Sequence, residues 1–156
     1  MHDLNRRSTL IAAGGFLFAA ATASACSAAT RRPLAMTVHK DPNCGCCTAW
    51  ADAMRATGTF EPRIVEQADM AALKTRLGVP PTLASCHTTE VAGYVIEGHV
   101  PAAHVVRLIE TRPKGLIGLA VPGMPAGSPG MEMPDGRRDA FKVLAFTADG
   151  RASVFG

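Results

Sequence analysis

The fold is decided by the stretch Met36-Thr37-Val38-His39-Lys40-Asp41-Pro42-Asn43-Cys44-Gly45-Cys46-Cys47. Its first four residues predict a strand, and Asp41-Pro42-Asn43 has the chemistry of a turn. A helical pattern follows from Thr48 to Thr57, so the three cysteines lie at the start of a helix. Unpaired N–H groups and the helix dipole stabilise a thiolate there and lower its pKa. We therefore expect the cysteines to carry the chemistry of the protein.

The cysteine triplet has three interpretations. Cys44 and Cys47 form a C-x-x-C pair, the spacing of thiol redox motifs. Together with Cys46 they form a dense set of soft ligands for Cu(I), zinc or an iron–sulfur cluster. A structural disulfide with a spare thiol is the third interpretation, since three neighbouring cysteines cannot all pair with one another. The triplet by itself leaves all three open.

The N-terminus predicts export. Arg6 and Arg7 precede an apolar run from Leu10 to Ala23, which ends in the small residues Ala23-Ser24-Ala25. The run is too short for a membrane span and is followed by a cleavage pattern, so residues 1–25 are predicted to be a signal peptide. Secretion would place the thiols in the periplasm.

Two details of the N-terminus refine this prediction. The segment Asn5–Leu10 loosely resembles a twin-arginine signal. Cys26 follows the small residues, where a bacterial lipoprotein carries its lipidated cysteine; alternatively, Cys26 is trimmed away or left in a tail. Residues 26–35 are interpreted as a linker.

The charge of the chain argues against a nucleic-acid partner. The whole sequence has 16 basic and 13 acidic residues. Removal of residues 1–25 takes away Arg6, Arg7 and Asp3 and leaves a net charge of +2 on a chain of about one domain. A nearly neutral domain predicts neither nucleic-acid binding nor a polybasic membrane surface.

The middle of the chain predicts an α/β fold. After the first strand, Trp50, Ala53, Met54 and Thr57 recur at helical spacing, and Pro62–Val65 predicts a second strand. A second helix is then predicted, with Asp69 as its N-cap, an apolar face of Met70, Leu73 and Leu77, and Gly78 at its end. Strand, helix and strand in this order imply a parallel pair joined by a crossover.

The next segment predicts two further strands and a helix. Val79-Pro80-Pro81-Thr82-Leu83 leads into a strand that ends at Cys86-His87, and a turn is expected through Thr88-Thr89-Glu90. Tyr94–Ile96 predicts the following strand. Pro101 suits the first position of a helix that runs to about Thr111.

This order, with C-x-x-C after the first strand, matches the thioredoxin arrangement. We therefore expect a thioredoxin-like domain over residues 36–112, with a mixed sheet flanked by helices. Thioredoxin-like proteins carry a cis-proline before their third strand, and Pro81-Thr82-Leu83 resembles that segment. Two trans prolines in an ordinary loop would look the same in the sequence.

Cys86 is the candidate for a fourth thiol at the site, because its strand should lie beside the cysteine loop. His87 is a weaker candidate, since alternate side chains of a strand point to opposite faces. His99 opens a helix and is either a ligand or a turn residue. His104 has Leu108 one turn later, which favours a half-buried packing role.

Residues 113–156 extend beyond a minimal thioredoxin fold. Their Pro- and Gly-rich part, Pro122–Pro134, has no apolar period and predicts a loop, yet it contains Met124, Met131 and Met133. Thioether sulfur is a soft ligand that suits Cu(I), whereas methionine also serves as an adaptable packing residue. Phe141–Phe146 and Ala152–Phe155 predict a final strand or hairpin, turned at Asp149-Gly150.

Several motifs in combination resemble the CopG-type periplasmic metal-binding family, which is linked with bacterial copper resistance. The resemblance covers roughly residues 36–155, nearly the whole mature chain. The motifs that carry it are Cys44-Gly45-Cys46-Cys47, Ser85-Cys86-His87-Thr88, Gly93-Tyr94, Glu97-Gly98-His99-Val100-Pro101, Val121-Pro122-Gly123-Met124-Pro125 and Gly127-Ser128-Pro129-Gly130-Met131-Glu132.

The resemblance implies a thioredoxin-like domain whose C-terminal extension contributes to a copper site. Its matching positions imply the sulfur ligands Cys44, Cys46, Cys47 and Cys86. His99, Met124 and Met131 are implied as further ligands. Clustered thiolates can bridge several ions, so we expect Cu(I), in a polynuclear cluster if more than one ion binds.

The hypothesis is therefore capture of Cu(I) by thiolates in the periplasm, with interconversion of Cu(I) and Cu(II) left open. The alternative is a thiol–disulfide oxidoreductase that uses Cys44 and Cys47, against which Cys46 is a competing neighbour. A zinc or iron–sulfur module is a third option. The expected partners are copper ions and a periplasmic copper exporter or chaperone, and the protein is expected to be a monomer.

Overall fold

The computed structural model describes residues 32–156, which form a mixed α/β fold of one seven-stranded sheet and three α-helices. The mixed α/β class predicted from the sequence is confirmed. The elements in chain order are β1 (Leu34–Lys40), α1 (Gly45–Ala56), β2 (Phe60–Glu66), α2 (Met70–Arg76), a short 3-10 turn (Pro81–Leu83), β3 (His87–Val91), β4 (Tyr94–Glu97), α3 (Ala102–Thr111), β5 (Leu116–Ala120), β6 (Leu144–Thr147) and β7 (Ala152–Val154).

The sheet has the strand order β2-β1-β3-β4-β5-β6-β7. The predicted parallel pair is present, with β1 and β2 in register from Leu34 opposite Phe60 to Lys40 opposite Glu66. A second parallel pair joins β4 to β5 across α3. β3 runs antiparallel to both of its neighbours, so its first residues lie at the end of the sheet where β1 finishes.

The helices α1 and α3 cover one face of the sheet, and a smaller apolar cluster, which Leu77 at the end of α2 joins, covers the other. Trp50 and Met54 of α1 and Leu108 of α3 pack with strand residues such as Ile96 in the main core. The second cluster includes Val79 and Leu83 on the opposite face. Neighbouring strand residues are divided between the two clusters because successive side chains of a strand point to opposite faces.

The first helix follows its predicted apolar face in part. Trp50 and Met54 are buried as expected, and Trp50 Nε1 donates a hydrogen bond of 3.0 Å to the Val100 carbonyl. Thr57 is the exposed C-cap instead of a core residue. Asp69 is the N-cap of α2 as predicted, because its side chain accepts a 2.9 Å hydrogen bond from Ala72 N.

The prediction of a strand that ends at Cys86-His87 is wrong, and so is the prediction of a turn at Thr88–Glu90. Residues 81–83 form the 3-10 turn, and the strand begins at His87. Two consecutive prolines lack the N–H groups that a ladder needs, so they suit the turn instead. The actual hairpin turn is Ala92-Gly93, where both residues have positive φ, as a two-residue hairpin loop requires.

The C-terminal residues extend the same sheet. β5 pairs with β4, and β6 and β7 form the predicted antiparallel hairpin. No helix or strand occurs within residues 121–143, in agreement with the predicted loop. Gly127 N and Ser128 N nevertheless make loop hydrogen bonds, to Met131 O at 2.7 Å and Pro125 O at 3.2 Å, so the loop is internally ordered.

The predictions for the N-terminus fall outside the described residues. The signal peptide, the twin-arginine motif, the fate of Cys26 and most of the 26–35 linker lie there and stay predictions. Within residues 32–156, no helix is both long enough and apolar enough to cross a bilayer.

Candidate metal centre

Four chain segments converge at one end of the sheet. The cysteine loop follows the end of β1, and His99 follows the end of β4. The segment around Cys86 precedes β3, whose antiparallel direction brings its first residue, His87, opposite Lys40 at the end of β1. The Met-containing loop follows the end of β5. Because these strand ends lie at the same edge of the sheet, side chains from distant sequence positions come together there.

The cysteine loop forms the N-terminus of α1. Asp41 begins the turn, because its carboxylate accepts a hydrogen bond from Asn43 N at 2.8 Å and its carbonyl accepts one from Cys44 N at 3.0 Å. Cys44 is the N-cap, and Cys46 and Cys47 lie in the first helical turn. Cys44 and Cys47 are joined by a disulfide, whereas Cys46 and Cys86 are free thiols.

The four sulfur atoms form one compact group. Cys44 Sγ lies 3.6 Å from Cys46 Sγ, which in turn lies 3.9 Å from Cys86 Sγ. All four sulfur atoms lie within 4.8 Å of one another. The later thiol thus reaches the triplet, although Cys86 is separated from it by about forty residues of sequence. This arrangement can hold a soft metal once the disulfide is reduced.

Two histidines extend the group on the side of Cys86. His99 Nε2 lies 3.0 Å from Cys86 Sγ, and His87 Nδ1 lies 3.4 Å from the same sulfur. His99 Nδ1 donates to the Pro129 carbonyl at 2.8 Å, because a carbonyl can only accept. His99 Nε2 therefore keeps its lone pair towards the thiol, which is the tautomer a metal ligand needs.

His87 lies closer to the site than its place in the strand pattern predicts. Alternation along a strand predicted that Cys86 and His87 point apart, but Cys86 precedes β3 and the rule does not apply to it. His87 is fully buried against Trp50, with ring centroids 4.6 Å apart. Its Nε2 has no hydrogen-bond partner among the described residues.

Burial sets the protonation of these groups. It raises the pKa of the Cys86 thiol to about 12, with the neighbouring Cys46 as a smaller cause. Burial also lowers the pKa of His99, and that of His87 falls further. At neutral pH the imidazoles are therefore neutral donors, whereas Cys86 must release a proton when a metal binds.

The two predicted methionine ligands differ in their placement. Met131 follows Gly130, whose backbone packs so closely on α1 that an added Cβ would lie 2.5 Å from Trp50 N and 3.0 Å from the Cys46 carbonyl. Met131 is partly buried, whereas the side chain of Met124 is 53% exposed. Met124 follows Gly123, which pairs with Ser85 beside Cys86. The loop thus contacts the start of α1 at Gly130, and Met131 is the residue that follows this contact.

His104 is not part of either group of donor atoms found among residues 32–156. Its ring packs beside Phe155, with the centroids 6.4 Å apart. Its partly buried position agrees with the packing role predicted from Leu108.

A buried ion pair behind the site was missed altogether. Lys74 Nζ lies 2.5 Å from Glu97 Oε1, and Glu97 is completely buried. The signal in the sequence is one glutamate at the end of the apolar strand Tyr94-Val95-Ile96-Glu97. Burial raises the pKa of this carboxyl, and Lys74 and its hydrogen bonds counteract that rise.

Comparisons with known proteins point to copper resistance. The family described as "Protein of unknown function, DUF411" matches residues 83–131, which include Cys86, His99 and Met131. A solved structure named "Copper resistance protein copG- Form 1" is 51% identical to this chain, with a TM-score of 0.73, and the match covers 80% of this chain and 96% of that one. Its "Form 2" gives 50% identity, the same TM-score, and 80% and 97% coverage. No curated protein matches the chain.

Proposed function

Because this chain belongs to the family of the copper resistance protein CopG, we propose that it binds copper ions through its clustered cysteines. The observation that carries the proposal is the approach of four sulfur atoms, from Cys44, Cys46, Cys47 and Cys86, to within 4.8 Å of one another. Thiolate sulfur is the ligand type that selects Cu(I). Several thiolates at these distances can bridge more than one ion, which supports a polynuclear cluster.

Nitrogen and thioether ligands complete the proposed site. His99 presents its unprotonated Nε2 to Cys86, which suits a ligand at the edge of the sulfur group. Met131 follows Gly130, whose backbone contacts α1 beside the Cys46 carbonyl, and it would supply a thioether ligand from there. Met124 is exposed and would have to turn inwards, or receive the ion first, to contribute. Residues 113–156 would thus act as an extension that contributes ligands.

The disulfide adds a redox step to the proposal. Two Cu(II) ions can each take one electron from the Cys44 and Cys47 thiols. This forms the disulfide, releases two protons and yields two Cu(I) ions. A dithiol reductant would then return two electrons and two protons to regenerate the thiols. Reduction of Cu(II) to Cu(I) would therefore be accompanied by a change of Cys44 and Cys47 from thiols to the disulfide.

The setting proposed for this activity is the periplasm, reached through the predicted signal peptide. The partners would be copper ions and a periplasmic copper exporter or chaperone, with the protein acting as a monomer. We also propose a thioredoxin-like frame over residues 36–112. The strand order β2-β1-β3-β4 with an antiparallel β3, and a C-x-x-C pair after β1, support that frame.

The experiment is copper loading after reduction. The reduced protein, freed of reductant, is titrated anaerobically with Cu(I), and copper per chain and X-ray absorption are measured. We expect at least one tightly bound ion with sulfur scattering and, for a cluster, a short copper–copper distance. Cys86→Ser should bind Cu(I) more weakly through the three remaining thiols, whereas Met54→Leu, a change at a core methionine, should leave the affinity unchanged. A copper content near zero in the reduced wild-type protein would remove the proposal.

A second candidate function is thiol–disulfide exchange. It is favoured by the disulfide itself, in which Cys44 is partly exposed and Cys47 is fully buried. That asymmetry suits Cys44 as the attacking thiol and Cys47 as the resolving thiol. Rapid reduction of insulin by the metal-free protein would favour this candidate, and loss of that activity in Cys44→Ser would assign it.

A further inference from the structure

A buried carboxylate lies directly behind the segment that carries Cys86. Glu97 Oε1 accepts hydrogen bonds from Ser85 N at 2.6 Å and from Lys74 Nζ at 2.5 Å, and Oε2 accepts one from Thr88 Oγ1 at 2.7 Å. Lys74 Nζ also donates to Thr88 Oγ1 at 2.8 Å. One carboxylate therefore connects α2, the end of β4 and both sides of the Cys86-His87 dipeptide.

The segment before Cys86 has few other supports. Ser85 lies outside the named strands and makes a single isolated bridge, to Gly123. Its hydroxyl donates to the Gly123 carbonyl. Gly98, with φ of +71°, lets the end of β4 approach, since an added Cβ would collide with the Ser85 side chain. The Ser85 N–H thus donates to the Glu97 side chain. In a regular strand, such an N–H would donate to a backbone carbonyl of the neighbouring strand.

Stability alone is a weak reason for such an arrangement. A buried ion pair loses its hydration, and well-packed apolar residues often replace it without loss of stability. A carboxylate with contacts on both sides of a ligand residue instead restricts where that residue's backbone can lie. Groups that orient ligands in this way usually matter for metal affinity as much as for folding.

We propose that Glu97, supported by Lys74, is a positioning residue that holds the Cys86 sulfur in place against Cys46 and His99. This inference rests on the proposed copper function and deepens it. Cys86 Sγ lies 3.9 Å from Cys46 Sγ and 3.0 Å from His99 Nε2, so a small backbone shift at Ser85 would open one of these distances.

The test compares Glu97→Gln with the wild-type protein. The amide has nearly the same shape, but its NH2 group replaces one of the two accepting oxygens, either Oε1, which accepts from Ser85 and Lys74, or Oε2, which accepts from Thr88. Cu(I) affinity is measured by competition with bicinchoninate after reduction. We expect affinity to fall about tenfold, the lower end of the effect typical for groups that orient ligands. Thr88→Val, which removes one of the contacts, should weaken binding in the same direction.

Two controls separate positioning from folding. Leu73→Ala removes a buried side chain from the same helix as Lys74 and should lower thermal stability while leaving Cu(I) affinity within about twofold. In a Cys86→Ser background, Glu97→Gln should have no further effect on the residual affinity, since its action passes through Cys86.

The outcomes are distinct. Failure of the wild-type protein to bind copper would defeat the proposed function itself. Wild-type binding with unchanged affinity in Glu97→Gln would overturn the positioning role alone. The role would also be overturned if the tenfold loss persisted in the Cys86→Ser background, or if Leu73→Ala weakened copper binding as much as Glu97→Gln.

Discussion

Cys86 connects the two groups of donor atoms at the site. Its sulfur belongs both to the set of four thiols and to the set formed with His87 and His99. A thiol in that position is half-buried, and burial raises its pKa to about 12, with the neighbouring Cys46 as a smaller cause. Its thiolate is therefore scarce at neutral pH until a metal displaces the proton.

We expect slow alkylation of Cys86 in the metal-free protein with its Cys44–Cys47 disulfide intact. At pH 8 a thiol with a pKa of about 12 has roughly a thousandfold less thiolate than an ordinary cysteine, so iodoacetamide should react far more slowly than in urea. The rate should rise about tenfold per pH unit. Mass spectrometry of the Cys86 peptide measures both states. Native and urea rates within a few-fold of each other at pH 8 would contradict this prediction.

The Met-containing loop lies against α1 at one glycine. Gly130 has φ of +80°, and its backbone lies against the first turns of α1. His99 adds a second anchor through its hydrogen bond to the Pro129 carbonyl. The Pro129 carbonyl of the loop therefore fixes the tautomer of His99, and the contact at Gly130 fixes the backbone just before Met131.

Gly130→Ala should release this loop from α1. The new Cβ would meet Trp50 backbone atoms at 2.5 and 2.8 Å, which rotamer changes cannot relieve. Gly136→Ala is the matched control, because Gly136 also has positive φ but nothing lies within 4 Å of an added Cβ. Overpacking should make Gly130→Ala about 1–3 kcal/mol less stable than the control in urea denaturation. Equal stability of the two variants would show that the contact is not tight.

At the scale of the whole molecule, the sheet and the helices packed on it bury His87 and His99 at the site. His87 is fully buried between α1 and the sheet end, and its pKa lies well below the ordinary 6.5 because of desolvation. Below about pH 6.5, His87 therefore binds a proton in the unfolded chain but stays neutral in the folded protein. Stability contributed by this group is present above about pH 6.5 and is lost as pH falls below it.

The metal-free protein should consequently lose stability in mild acid. Between pH 7.5 and pH 5.5, His87 alone accounts for a loss of up to about 1.4 kcal/mol in the free energy of unfolding. His87→Leu should show a loss that is smaller by that amount. Urea denaturation at the two pH values measures both proteins. Identical losses in the wild-type protein and in His87→Leu would mean that another group is responsible.

The sequence by itself determined the local chemistry and most of the elements. The first strand, the helix after the cysteines, the Asp69 cap and the final hairpin follow from apolar spacing and turn residues, which act over a few neighbouring positions. The family resemblance and the candidate thiols also rest on local motifs. The strand predicted before Cys86 failed because consecutive prolines outweighed its apolar residues.

Only the tertiary structure decided which groups meet. The distance from Cys86 to Cys46 and the approach of His87 to the Cys86 sulfur depend on the antiparallel course of β3. The pairing of Lys74 with Glu97 likewise joins residues that no local pattern relates. Such contacts depend on strand order and on burial, and both arise only when distant segments of the chain pack together.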